Sequence, residues 1–208
     1  DTGVSSSDRI TSVGTVTVVG LEAGATWQYS TDDGANWTTG SGTSFTLASG
    51  TYAIDAVQVR QTDAAGNFST ITKNGSGAIT VDQSAPALAV INTVATDDIV
   101  NATESTSLVL SGTGEIGATV TLGQTGQTAV VDGSGNWTIT VVNAVTSFGQ
   151  GAETLVVTQT DVSGNTSPIA TRNITIDTSA PSAVTFGLSS DTGVSSSDRI
   201  TSVGTVTV

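Results

Sequence analysis

The 208-residue chain contains no cysteine, no histidine and no methionine. Without thiols it has no disulfide framework and no thiolate metal site. Without histidine or cysteine, the common nucleophile–base pairs of hydrolytic enzymes are unavailable. Bases are scarce too: five Lys and Arg face 18 Asp and Glu, a net charge of −13. Such a surface excludes general binding to nucleic acid or to anionic membranes, since both depend on basic patches. No apolar run approaches the ~18 residues that a membrane helix needs. No leader peptide is recognisable, which in an internal fragment carries no information about location.

Aromatic residues are 4% and charged residues 11% of the chain. Gly, Ser, Thr, Val and Ala dominate instead, a mixture suited to short β-strands and tight turns. Alternating Val, Ile and Leu together with a mean hydropathy of +0.15 argue against disorder.

Residues 191–208 repeat residues 1–18 letter for letter, an offset of 190 positions (191 − 1). An identity of this length marks a tandem array. Within one period, two divergent modules align in order. GATW (24–27) matches GATV (117–120), and DDGANW (32–37) matches DGSGNW (132–137). TDAAGNFS (62–69) matches TDVSGNTS (160–167), and ITVDQSAP (79–86) matches ITIDTSAP (174–181). The expected domains are module 1 (residues 1–84, lacking its first strand), module 2 (85–179) and the opening of a third (180–208).

For module 2 the pattern predicts strands over 87–94, 107–112, 119–122, 128–131, 137–142, 153–160 and 172–176, with 128–131 and 137–142 forming a hairpin. For module 1 it predicts 12–20, 26–30, 37–39, 44–47, 51–62 and 68–81, with a bulge near Ala56 where the alternation changes parity. The expected fold is all-β: tandem antiparallel sandwiches of about seven strands each. Tyr52 is either a tyrosine corner or an ordinary half-buried tyrosine. Trp37 and Trp137 are expected to anchor sheet packing. The 181–208 tail cannot close a core alone and is expected either to pair with another molecule's edge or to belong to a longer repeat.

The acids recur at fixed places. Each module has a loop Asp in TDxxGN (Asp63, Asp161) and an Asp closing its last strand (Asp82, Asp177). Acidic pairs seven apart open the modules: Asp1 with Asp8, Asp97 with Glu104, and Asp191 with Asp198. Asp98 adds a further candidate. Any one of these suits an Asx turn. As a set they are expected to converge at the inter-domain joints, where mutual repulsion calls for a cation. An all-oxygen donor set selects a hard ion, and irregular geometry favours Ca²⁺ over Mg²⁺. Asp132–Asn136 resembles the start of an EF-hand loop but lacks its closing Glu and reads as a turn.

The DxxGN loop, the D-(Q/T)-S-A-P linker and the GAT and DGxGNW signatures resemble bacterial immunoglobulin-like repeats from the extender regions of giant repeats-in-toxin (RTX) biofilm adhesins. That resemblance implies a bacterial cell-surface location and linker Ca²⁺ held by Asp63, Asp82, Asp97, Asp161, Asp177 and Asp191. It also implies a non-enzymatic, monomeric rod whose partners are neighbouring repeats. Such a spacer would hold a distal ligand-binding domain away from the cell. Two alternatives stay open: a module that binds glycan or protein through its loops or an exposed Trp, and an accessory module of a secreted polysaccharide-degrading enzyme.

Overall fold

The computed structural model describes residues 1–207, which form two compact units divided after Asp177. The first unit holds two separate hydrophobic cores, one within residues 16–81 and one within 89–176. The second core is the larger. Its strands are β10 (Val90–Ile91), β11 (Ile99–Val100), β12 (Ser107–Thr113), β13 (Thr119–Leu122), β14 (Thr128–Val130), β15 (Asn136–Val142), β16 (Gly151–Thr160) and β17 (Ala170–Ile176). They make a three-stranded sheet, β10-β12-β15, and a five-stranded one, β11-β17-β16-β13-β14. Period-two alternation puts Trp137, Ile139 and Val141 of β15 inward and leaves Thr138 and Thr140 exposed. Leu108 and Leu110 lie beside them on β12, and Val120, Leu122 and Leu155 come from the other sheet, each buried aliphatic contributing roughly 1.5–3 kcal/mol.

The first core is built by β1 (Ile10–Thr11), β2 (Thr15–Thr17), β3 (Thr26–Ser30), β4 (Thr38–Thr39), β5 (Ser44–Thr46), β6 (Gly50–Tyr52), β7 (Gln58–Thr62), β8 (Thr72–Lys73) and β9 (Ile79–Val81). Their sheets are β4-β3-β7-β8, β1-β9-β6 and β2-β5. Trp27, Phe45 and Leu47 fill this core, with Tyr29 stacked on Phe45 at 4.2 Å. The Tyr52 hydroxyl donates back to the Ala48 carbonyl at 3.0 Å, the bond of a tyrosine corner.

Several expectations need correction. Two of the long expected strands are broken: 87–94 shrinks to β10, and 12–20 shrinks to β2. In each half a short segment, β1 or β11, runs parallel to the last strand. The expected strand 51–62 is interrupted at 53–57, where Ala56 N bonds Ala53 O and Asp55 takes φ +66°. Segment 68–81 survives only as β8 and β9. Strands β14 and β15 form no hairpin, because β14 pairs with β13 and β15 crosses to β12 in the other sheet. A one-turn helix, Ala144–Phe148 (α1), was not foreseen.

The pairing of DDGANW with DGSGNW also fails. Turn 32–36 joins β3 to β4 within one sheet, whereas turn 132–136 carries the chain between sheets. Phe45, opposite Val16, takes the place of Trp137, opposite Gly112. Trp37 is therefore no core anchor. It lies half-exposed under Arg60, whose guanidinium sits 4.0 Å from its ring and 4.7 Å from that of Phe68.

The second unit contains β18 (Gly187–Leu188) and β19 (Val206–Thr207), which pair antiparallel.

Candidate functional site

The two TDxxGN loops are built alike. The Oδ1 of Asp161 accepts the Ser163 and Asn165 amides at 2.9 and 2.8 Å, and its Oδ2 accepts the Asn165 side-chain amide at 2.9 Å. Asp63 does the same with Ala65 and Asn67. The Asn67 side-chain amide first, then its backbone amide, holds the Asp63 carboxyl below its ordinary range. Asp32 accepts the backbone and side-chain amides of Asn36, and Asp132 accepts the backbone amides of Ser134 and Asn136. For Asp32, the Asn36 amide leads in lowering the pKa to about 2.

These loops do not lie beside the Asp that closes the last strand. Strands β16 and β17 are antiparallel, with Val157 opposite Ala170 and Gly151 opposite Ile176. Asp161 therefore sits at the start of β17 and Asp177 at its far end, roughly 20 Å away at ~3.4 Å per residue. The same holds for Asp63 and Asp82, because Lys73 faces Gln58 and Val81 faces Gly50. A loop that precedes a strand meets its beginning, so the expected convergence within one module is geometrically barred.

What converges instead is the end of one sandwich and the DxxGN loop of the next. The Asn165 side-chain amide donates to the Asp82 carbonyl at 2.8 Å as well as to Asp161 Oδ2. The Thr2 hydroxyl donates to the Ser163 carbonyl at 2.7 Å and accepts the Ser12 amide at 2.7 Å. Val4 N reaches Val162 O at 3.4 Å. The approach is close enough that a Cβ on Gly3 would lie 2.1 Å from Val162 O, and one on Gly164 would lie 2.9 Å from Gly3 N. Both glycines have φ +93°, so the joint needs glycine twice over. Asn165, Thr2 and Gly3 were not among the expected site residues; the repeated GN of TDxxGN was the signal for Asn165, and the repeated DTG at 1–3 and 191–193 the signal for Thr2 and Gly3.

The remaining candidate acids are dispersed. Asp1 Oδ2 accepts Arg9 N at 3.0 Å, Asp8 Oδ1 accepts Ile10 N at 3.0 Å, and Asp82 Oδ1 accepts Ser84 N at 3.0 Å. Asp97 Oδ1 accepts Ile99 N at 3.0 Å, and Glu104 Oε2 accepts Asn101 N at 3.0 Å. Thr80 N bonds Arg9 O as Thr175 N bonds Asp98 O, so Asp97, not Glu104, is the counterpart of Asp8. Asp98 is committed elsewhere. Its carboxylate receives Arg172 Nε at 2.7 Å and Nη2 at 2.6 Å, which depresses its pKa and raises that of Arg172. Asp177 closes β17, its N donating to Val100 O. In the second unit Asp191 Oδ2 accepts Arg199 N at 3.1 Å, and Asp198 Oδ1 accepts Ile200 N at 3.0 Å.

The donor chemistry, all oxygen, suits Ca²⁺. The arrangement does not, because among the described residues no three acidic side chains gather into a group that could hold a metal ion. At the joint, the Asn165 side-chain amide links the Asp82 carbonyl to the Asp161 carboxylate.

In each half, antiparallel sheets packed over one core, with a short first segment parallel to the last strand, make an immunoglobulin-like sandwich. Residues 85–175 match the bacterial Ig domain family. No curated protein matches the chain. Among solved structures, the Ig-like chain is similar to a Ca²⁺-stabilized adhesin that helps an Antarctic bacterium bind ice, at 31% identity and TM-score 0.42 over 89% of this chain and 50% of that one. It is also similar to a 1.5-MDa bacterial ice-binding adhesin, at 30% identity and TM-score 0.36 over 79% of this chain and 58% of the other. A third likeness is to fibronectin(III)-like modules from Clostridium thermocellum, at 12% identity and TM-score 0.49, covering 83% of this chain and 93% of that one. The chain thus spans about half the length of the adhesin structures.

Proposed function

We propose that this chain is a spacer segment from a large bacterial surface adhesin, in which Ig-like modules stack end to end and hold a distal binding domain away from the cell. The observation that carries this reading is the union of a letter-for-letter repeat with a built joint. Residues 1–18 recur at 191–208, and the 161–165 loop of one sandwich grips Thr2–Val4 and Asp82 of the sandwich before it. A faithful repeat with a directional joint extends in one dimension, as stacked-repeat proteins do. The domain boundaries proposed are 1–84, 85–179 and 180–208, with an extracellular, cell-surface location and an RTX-type, biofilm-forming parent.

Calcium belongs to the proposal as a ligand of the joint. Its support is the acid surplus, the oxygen-only donors and the sequence similarity to an adhesin that is itself Ca²⁺-stabilized. Since the acids do not form a cage as arranged, binding there requires Asp82 and Asp161 to exchange amide donors for the ion. Small-angle scattering with thermal melting, with and without chelator, tests this. A longer particle and higher melting temperature in Ca²⁺ support the calcium part. Identical profiles remove it, while a rod-like particle in both conditions still supports the spacer.

A further inference from the structure

Two of the bases face carboxylates: Lys73 Nζ lies 3.8 Å from Asp33, and Arg172 Nη2 lies 2.6 Å from Asp98. Arg60 has no acidic partner among the described residues, in a chain where 18 acids face 5 bases. Its guanidinium is held in place by other means. The Trp37 ring lies 4.0 Å from it and the Phe68 ring 4.7 Å, and Gln28 Oε1 accepts Nε at 3.1 Å and Nη2 at 2.8 Å. Gln28 and Arg60 stand opposite each other on β3 and β7. Trp27 and Val59 of these strands pack into the core, so period-two alternation turns Gln28 and Arg60 to the outer face of the sheet.

The second sandwich does without this cluster. The TDxxGN alignment sets Arg60 against Thr158 and Phe68 against Thr166, and the GAT alignment sets Gln28 against Thr121. Thr121 stands opposite Thr158 as Gln28 stands opposite Arg60, and Thr160 bridges Thr166 as Thr62 bridges Phe68. The same places in the same sheet are plain threonine in one sandwich and a stacked arginine in the other. Strand pairing is alike in both, so it does not account for the difference.

One side of Arg60 is open. A guanidinium has five N–H groups, and Gln28 takes one from Nε and one from Nη2. Both groups on Nη1 and the second on Nη2 have no partner among the described residues. Nη1 and Nη2 together present the end-on fork that matches the two oxygens of a carboxylate. The two rings and Gln28 fix that fork beforehand, which lowers the ordering cost of binding. Arg60 covers one face of Trp37, which closes that face to a ligand, but Phe68 is 62% exposed beside the guanidinium.

We propose that Arg60 and Phe68 form a binding site for a carboxylated sugar of an acidic glycan. The carboxylate accepts from Nη1 and Nη2, and the apolar face of the sugar ring lies against Phe68. A net charge of −13 repels densely charged polymers such as nucleic acid, so the ligand carries its carboxylates singly, one to a sugar. An acidic peptide offers its carboxylate on a flexible stem, with no ring to cover Phe68. The cluster lies wholly within the first sandwich, and the inference is independent of the spacer and calcium readings.

The test titrates the full chain with digalacturonic acid and with sialyllactose up to about 20 mM, following amide shifts by NMR. Saturable shifts centred on Gln28, Trp37, Arg60 and Phe68 are expected with at least one of them. The sugar that binds tells a uronate chain from a terminal acidic sugar. Neutral lactose, and acetate as a carboxylate without a ring, are expected to bind at least about tenfold more weakly. Arg60→Thr and Phe68→Thr install the residues that the second sandwich carries at these places, so strand circular dichroism should be unchanged. Arg60→Thr is expected to weaken binding at least about tenfold, and Phe68→Thr by about threefold or more. Arg60→Lys keeps the charge without the fork and is expected to fall between wild type and Arg60→Thr. The proposal is overturned by the absence of saturable shifts with both acidic sugars, or by equal binding to Arg60→Thr. Acetate or a tetraglutamate peptide binding as tightly as the sugars also overturns it.

Discussion

The Asn165→Ala exchange tests the joint most directly. Its side-chain amide makes two bonds, one to the Asp82 carbonyl across the joint and one to the Asp161 carboxylate in its own loop. A neutral bond contributes about 1 kcal/mol and one to a charged acceptor about 1.5–3 kcal/mol. Partial exposure of the loop brings the expected total to about 2 kcal/mol. For a cooperative unit of this size that lowers the melting temperature by about 4–8 °C. Asn67→Ala is the control, because Asn67 makes the matching bond to Asp63 in the equivalent loop. The two losses should differ by the bond across the joint, about 1 kcal/mol or 2–4 °C. Differential scanning calorimetry reads the difference, and scattering should show a looser particle for Asn165→Ala only. Equal losses in both variants, with unchanged scattering, would refute the claim that Asn165 clasps the two sandwiches.

Other expectations follow from the same geometry. Phe45→Ala should cost about 3–5 kcal/mol in urea unfolding, as should Trp137→Ala, whereas Trp37→Ala should stay within about 1 kcal/mol. Gly3→Ala should open the joint, because its Cβ would meet Val162 O at 2.1 Å; a changed Rg without loss of strand circular dichroism would show this. The Asp98 carboxyl is depressed by Arg172, so its stabilisation is present above the unfolded value and lost as pH falls through the folded one. Melting temperature should therefore drop below pH ~4, and Asp98→Asn should flatten that part of the profile.

Much of the molecule was legible in its residues. Alternation located β13, β12 and β15 nearly to the residue, because buried and exposed faces of a strand differ by one position. The 18-residue repeat also determines its own local structure. Thr2 caps Ser12 as Thr192 caps Ser202, and Asp1 and Asp191 hold the amides of Arg9 and Arg199, although the two copies lie in different surroundings. These are short-range hydrogen bonds, and a short segment carries both partners.

Longer-range matters were settled only by the tertiary structure. The same TVT becomes β2 against β5 at one end and β19 against β18 at the other, since strand pairing depends on which edge is near. DGANW and DGSGNW share letters, yet only Trp137 is buried, because one turn stays within a sheet and the other crosses between sheets. The acidic positions could be counted from the residues, but which end of a sandwich each occupies follows from strand direction. That direction separates Asp161 from Asp177 by the length of β17 and brings Asp161 to Asp82 instead, through the amide of Asn165.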